Sequence, residues 1–315
     1  MQQVGINSAL IAILAVPLSA CGGAVNSAPV PTPAPAAFPL TASQSFQTIT
    51  GTTTYTGQFS SDPIAAPSTA TLQSINVNGR GDQPTISYNA GSDSYTLQSG
   101  TAQVALGAGN RIAATGYAHA FRATSGTVTD DVTLYGNALA QAPSVPAPIA
   151  LSHTSFGLWK RSDSASGTTT QTFFVYGTPT GTAAMPRSGS ATYQATASGL
   201  VMTGVAVPPT YSEFTGTATL SANFSANSIS TTLDLGSRGT FQGLGSISAD
   251  QFSGTFTAPY PNYSSGAFAG GFFGPNAAEG GYTFSLLFFN PDPFAGASPQ
   301  PQKIWFSGVV VGKKN

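Results

Sequence analysis

Residues 214–224 read Phe-Thr-Gly-Thr-Ala-Thr-Leu-Ser-Ala-Asn-Phe. Phe214, Gly216, Ala218, Leu220, Ala222 and Phe224 alternate with Thr215, Thr217, Thr219, Ser221 and Asn223. Successive side chains of a strand point to opposite faces, so this period of two builds one apolar face and one hydroxyl face. The rule recurs downstream at Ile229, Thr231, Leu233 and Leu235; at Phe252, Gly254 and Phe256; at Tyr282, Phe284, Leu286 and Phe288; and at Ile304, Phe306, Gly308 and Val310. Turn signals at Ala226-Asn227, Gly236-Ser237, Ala249-Asp250 and Gly274-Pro275-Asn276 separate the runs. Short strands at regular spacing predict an antiparallel meander, with eight strands expected between Gly189 and Val311. Their inner faces mix large residues with Gly, as a small closed barrel requires. Closure also removes the edge strands that a surface poor in charge leaves unprotected.

Upstream the alternation is noisier. Strands are expected near Phe46–Phe59, Leu72–Val77, Thr85–Asn89, Ser94–Gln98, Ile112–Arg122 and Val132–Gly136. After a Pro-rich break at 142–148, Ser155–Lys160 and Gln171–Tyr176 read as strands leading into the barrel. No long helix is expected. The fold class is therefore all-β: a β-rich handle subdomain over 45–170, then an eight-stranded antiparallel barrel over 171–315.

Composition narrows the functions. Of 315 residues, 7% are charged, and the net charge is −1, against roughly 25% charged residues in an average domain. Ten Lys and Arg make no general phosphate-binding surface, so nucleic acid is not an expected partner. At 41% hydrophobic residues the chain has enough apolar side chain for a core and is not a disordered polymer.

Residues 9–18 form an apolar run that is too short for a bilayer, which takes about 20 residues, but suits a signal-peptide core. The run ends in Leu18-Ser19-Ala20-Cys21, a lipobox. Small residues before Cys21 admit the backbone to a signal peptidase, and the thiol then carries lipid. Cys21 is the only Cys, so it has no internal disulfide partner. Residues 1–20 are thus expected to be a lipoprotein signal peptide. Residues 21–44, with prolines at 29, 31, 33, 35 and 39, are expected to be a disordered, extended, lipidated tether. The membrane, through that N-terminal lipid, is an expected partner.

The order of motifs carries a resemblance. Phe174-Val-Tyr-Gly-Thr-Pro-Thr180 is followed by Met185-Pro-Arg-Ser-Gly-Ser-Ala-Thr-Tyr193, by Gly216–Phe224, by Ser248-Ala-Asp-Gln-Phe-Ser-Gly-Thr255, and by 266–281 with its Gly-Pro-Asn-Ala-Ala-Glu block. This series, from about Phe173 to the C-terminus, resembles the β-barrel domain of transferrin-binding protein B and its relatives, surface lipoproteins of Gram-negative bacteria. The resemblance implies a barrel packed on a handle and a lipid anchor at the outer membrane, often with display on the cell surface. It implies binding of a host iron-carrier protein, haemoglobin or a complement regulator, no catalysis and no cofactor. A macromolecule or a haem-related ligand is the expected partner, for iron acquisition. The second reading is a structural envelope or periplasmic lipoprotein with no soluble ligand.

Single residues were weighed in the same way. Gly274, Pro275, Asn276 and Glu279 are expected to be structural, with the Glu279 carboxylate accepting hydrogen bonds from the turn's amides. His119 and His153 have no Cys, Asp or Glu at ligand spacing, and no metal site is expected. There is no Gly-x-Ser-x-Gly elbow, and Asp130-Asp131 reads as a turn before a strand. Tyr260, Tyr263, Phe289 and Phe294 fall in aromatic loops at the barrel rim. They either contact a partner, as exposed aromatics do at interfaces, or plug the barrel's end.

Overall fold

Two β-structures share the chain. The computed structural model describes residues 38–57, 70–113, 118–135, 150–204, 211–260, 262–290 and 302–315. The first structure, the handle, uses β1 (Gln44–Thr56), β2 (Thr71–Asn89), β3 (Ser94–Ser99), β4 (Ala102–Leu106), β5 (Arg111–Ile112), β6 (Ala118–Ser125), β7 (Val128–Tyr135), β8 (Thr154–Asp163) and β9 (Thr168–Gly177). They form one nine-stranded sheet in the order β4-β3-β2-β1-β9-β8-β7-β6-β5. The second is a closed antiparallel barrel of β10 (Ser190–Gly204), β11 (Tyr211–Asn223), β12 (Ser228–Asp234), β13 (Thr240–Ser248), β14 (Gln251–Thr257), β15 (Tyr263–Phe273), β16 (Glu279–Asn290) and β17 (Gln302–Lys314). The eight-stranded meander and its closure are as the alternation predicts.

The handle departs from expectation in detail. Leu72–Val77 and Thr85–Asn89 belong to one strand, β2, that runs through Gly79-Arg80-Gly81. Register shifts opposite Gln47 and Thr48 absorb the irregular middle, as bulges do. Asp130 and Asp131 lie within β7, not in a turn. Asp130 is buried, accepts a hydrogen bond from Trp159 Nε1 at 2.8 Å, and pairs with Arg161 at 3.0 Å. Asp131 pairs with Arg122 across the strand at 2.6 Å. Cross-strand cations thus allow two carboxylates where sequence alone suggests a turn.

β9 lies past the expected boundary at residue 171, yet it is hydrogen-bonded between β1 and β8. Its run Phe173-Phe174-Val175-Tyr176 is buried throughout. Phe174 and Tyr176 face the handle's own core with Phe46, Ile86, Leu97, Phe121 and Trp159. Phe173 and Val175 face the other way, toward Leu200, Ala269, Phe273, Val309 and Val311 on the barrel wall. A strand buried on both faces loses its alternation and reads as a continuous apolar run. Each such side chain taken from water contributes about 1.5–3 kcal/mol.

The barrel interior is packed from end to end. Tyr193, Phe224, Phe252 and Phe272 fill one end; Phe256, Phe268, Tyr282 and Phe284 the middle; Phe214, Phe241 and Phe306 the other. Glycines make the room: a Cβ on Gly270 would sit 2.3 Å from the Phe252 ring. Buried hydroxyls are satisfied inside this core, with Tyr193 donating to Ala277 O at 2.7 Å and Tyr282 paired with Thr231 at 2.9 Å.

Candidate functional site: the two ends of the barrel

The hairpin order gives the barrel two unlike ends. At one end the connections are tight: 224–227 between β11 and β12, 249–250 between β13 and β14, and 274–278 between β15 and β16. The handle holds this end and also runs along the barrel wall, where Tyr55, Ala70, Leu72 and Ile75 pack with Met202, Leu287 and Trp305 toward the other end. Pro179 bridges Phe273, Thr180 N donates to Phe272 O at 2.9 Å, and Gly274 N donates to Thr178 O at 2.9 Å. Glu279 is 1% exposed. Its carboxylate accepts Ser152 N–H at 2.6 Å and His153 N–H at 3.0 Å. The expected role, a carboxylate satisfying backbone amides, is kept, but the donors come from the approach to β8 and not from the Gly274–Asn276 turn. The reason is direction: Glu279 opens β16 with its side chain on the outer face, toward the handle.

A second clasp had no local signal in the sequence. Arg80, midway along β2, pairs with Asp250 of the β13–β14 turn and lies 5.5 Å from the Phe273 ring centroid. Its backbone N–H donates to Gln251 Oε1. The partners are 170 residues apart, so no spacing rule could join them. Phe38 stacks on Phe46 at 6.0 Å and meets Tyr176 edge-to-face at 5.4 Å, and its N–H donates to Ser152 O at 3.2 Å. Phe38, at the start of the described residues, thus lies beside the clasped end.

The opposite end carries the rim aromatics. Tyr260 packs on Phe241 at 5.7 Å, and its hydroxyl accepts Thr240 N–H at 2.9 Å. Tyr263 packs on Phe288 at 5.5 Å and donates to Phe256 O at 2.7 Å. Burial pushes the Tyr263 phenol up to about 12, so it stays a neutral donor at physiological pH. Both side chains pack against the barrel's core at this end. Phe289 is different, since it is 37% exposed at the end of β16. Tyr211, at the start of β11, is 39% exposed, but its phenol lies against the handle beside Gln171 and Tyr55. Arg238 lies over the Phe214 ring at 5.8 Å and donates to Ser212 at 3.2 Å. Among the described residues the free end thus carries packed aromatics, with exposed Phe289 and Arg238 on its rim.

Phe294 lies outside the described residues, as do Leu18, Ser19, Ala20 and Cys21. His119 lies on β6. His153 lies at the clasp, its ring 2.4 Å from where a Cβ on Gly274 would stand. Among the described residues no group of His, Cys, Asp or Glu is arranged to hold a metal. The filled interior directs any macromolecular contact to the outer surface.

The comparisons follow this geometry. Residues 185–314, which contain all eight barrel strands, match the family described as the C-lobe and N-lobe beta barrels of Tf-binding protein B. Solved structures similar to the chain include a double mutant of transferrin-binding protein B from Haemophilus parasuis, at 13% identity and TM-score 0.40, covering 87% of this chain and 78% of that one. HpuA from Kingella denitrificans, solved with human haemoglobin, is similar at 15% identity and TM-score 0.40, covering 86% and 87%. Transferrin-binding protein B from Neisseria meningitidis is similar at 14% identity and TM-score 0.35, covering 86% and 77%. A comparison with curated proteins finds no match.

Proposed function

We propose that this protein is a lipid-anchored binding lipoprotein of a Gram-negative outer membrane. Through the free end of its barrel it takes a host macromolecule, with an iron-carrier protein or haemoglobin the leading class. Catalysis has no part in this reading. The observation that carries it is the asymmetry of a transferrin-binding-protein-type barrel. One end is held by the handle at Glu279, while the other bears exposed Phe289. A partner must dock from outside, because side chains fill the interior. The lipobox at Cys21 and the Pro-rich stretch after it support display from a membrane.

The test immobilises the full chain and offers transferrin, haemoglobin and haemin in turn. Binding of one of them, weakened about tenfold or more by Phe289→Ser with the thermal melt unchanged, supports the reading, since interface anchors cost more than about 1 kcal/mol when removed. Absence of binding to all three, with folded protein, turns the account to an envelope lipoprotein without a soluble ligand.

A further inference from the structure

We propose that the clasped end of the barrel rests on an anionic phospholipid surface through Arg187, Lys313 and Lys314. The inference builds on the lipid-anchor reading and adds an orientation to it. The first support is which cations are neutralised. Arg80, Arg111, Arg122 and Arg161 each pair with an aspartate. Lys160, Arg187, Arg238, Lys303, Lys313 and Lys314 form no ion pair with a described residue, and of these Arg187, Lys313 and Lys314 are exposed together at one end of the barrel.

The second support is where these three stand. Lys313 and Lys314 end β17, where Lys314 is in register with Tyr193, near the start of β10. Arg187 lies three residues before Ser190, where β10 begins, and two before Gly189, whose carbonyl accepts the Phe224 N–H of the β11–β12 turn. All three belong to one end of the barrel. The acidic groups described there are already engaged. Asp250 pairs with Arg80, and Glu279, in register with Lys313, gives both oxygens to backbone amides. The free end, by contrast, mixes signs, with Glu213, Asp234, Arg238 and Lys303.

The third support is the position of Phe38. Phe38 is hydrogen-bonded to Ser152, whose own N–H donates to Glu279. Residues 1–37 precede that point in the chain. They contain no Lys, Arg, Asp or Glu, so they offer headgroups no charge of their own. Basic side chains beside a membrane attachment are drawn to anionic lipid within a Debye length, by about fivefold in affinity per cation. The free end, with Phe289, then points away from the bilayer.

The experiment floats the full chain on phosphatidylglycerol-containing vesicles and on phosphatidylcholine vesicles, at low and at physiological salt. The Cys21→Ser chain isolates the headgroup contact from the lipid. Expected is salt-sensitive flotation on phosphatidylglycerol only, reduced at least about tenfold by the combined Arg187→Gln, Lys313→Gln and Lys314→Gln changes. A Lys303→Gln, Arg238→Gln chain removes charge at the free end and is expected to float as the parent does. Equal flotation on both vesicles, or loss of binding in both charge variants alike, overturns the proposal. Whether Cys21 carries lipid is read separately, from the mass of the protein taken from membranes. An unmodified Cys21 defeats the anchor reading whatever the vesicles show.

Discussion

Gly274 shows how much rests on one backbone position. Its φ of 72° and ψ of 179° lie in a region almost closed to side chains, and the His153 ring fills the space a Cβ would take. Gly274→Ala is expected to destabilise by about 2 kcal/mol through strain of that kind, read as a lower urea midpoint with unchanged slope. Thr283 is the opposite case. It is fully buried on the wall of β16, packed on Gly51 of the handle, and its Oγ1 has no partner among the described residues. A buried hydroxyl without a partner costs about 1–3 kcal/mol. Thr283→Val keeps the shape and removes the hydroxyl, so the thermal midpoint should rise. A fall would show that the hydroxyl has found a bond.

At the scale of elements, the clasp at Glu279 joins β16 to the approach to β8. Glu279→Ala leaves two buried N–H groups without an acceptor, at about 1–3 kcal/mol each. The expected result is a loss of about 3 kcal/mol, together with faster hydrogen exchange at Ser152 and His153. Exchange unchanged at those two amides would mean that the clasp does not hold the junction. The barrel strands were legible because each is wet on one face for much of the wall, which keeps the alternation at Phe214–Phe224 intact. β9 was assigned to the wrong neighbour because both its faces are buried, one against the handle core and one against the barrel. The donors to Glu279 are Ser152 and His153, more than 120 residues earlier, so the motif's own sequence cannot reveal them. Arg80 and Asp250 left no trace in the sequence, because a contact between distant segments has no spacing to reveal it.

At the scale of the molecule, the account orders the chain from membrane to ligand: attachment, basic clasped end, packed barrel, aromatic free end. Cys21 is the only native thiol and is taken up by lipid in this account, so engineered cysteines report without background. The deciding measurement labels intact cells with a membrane-impermeant maleimide. One strain carries Ser237→Cys, in the exposed turn at the free end, and the other Ala226→Cys, in the exposed turn at the clasped end. The account predicts fast labelling at position 237 and slow labelling at position 226, equalised when the cells are lysed in detergent. Labelling at neither position until the outer membrane is breached would place the protein inside the envelope and contradict a receptor displayed to the outside.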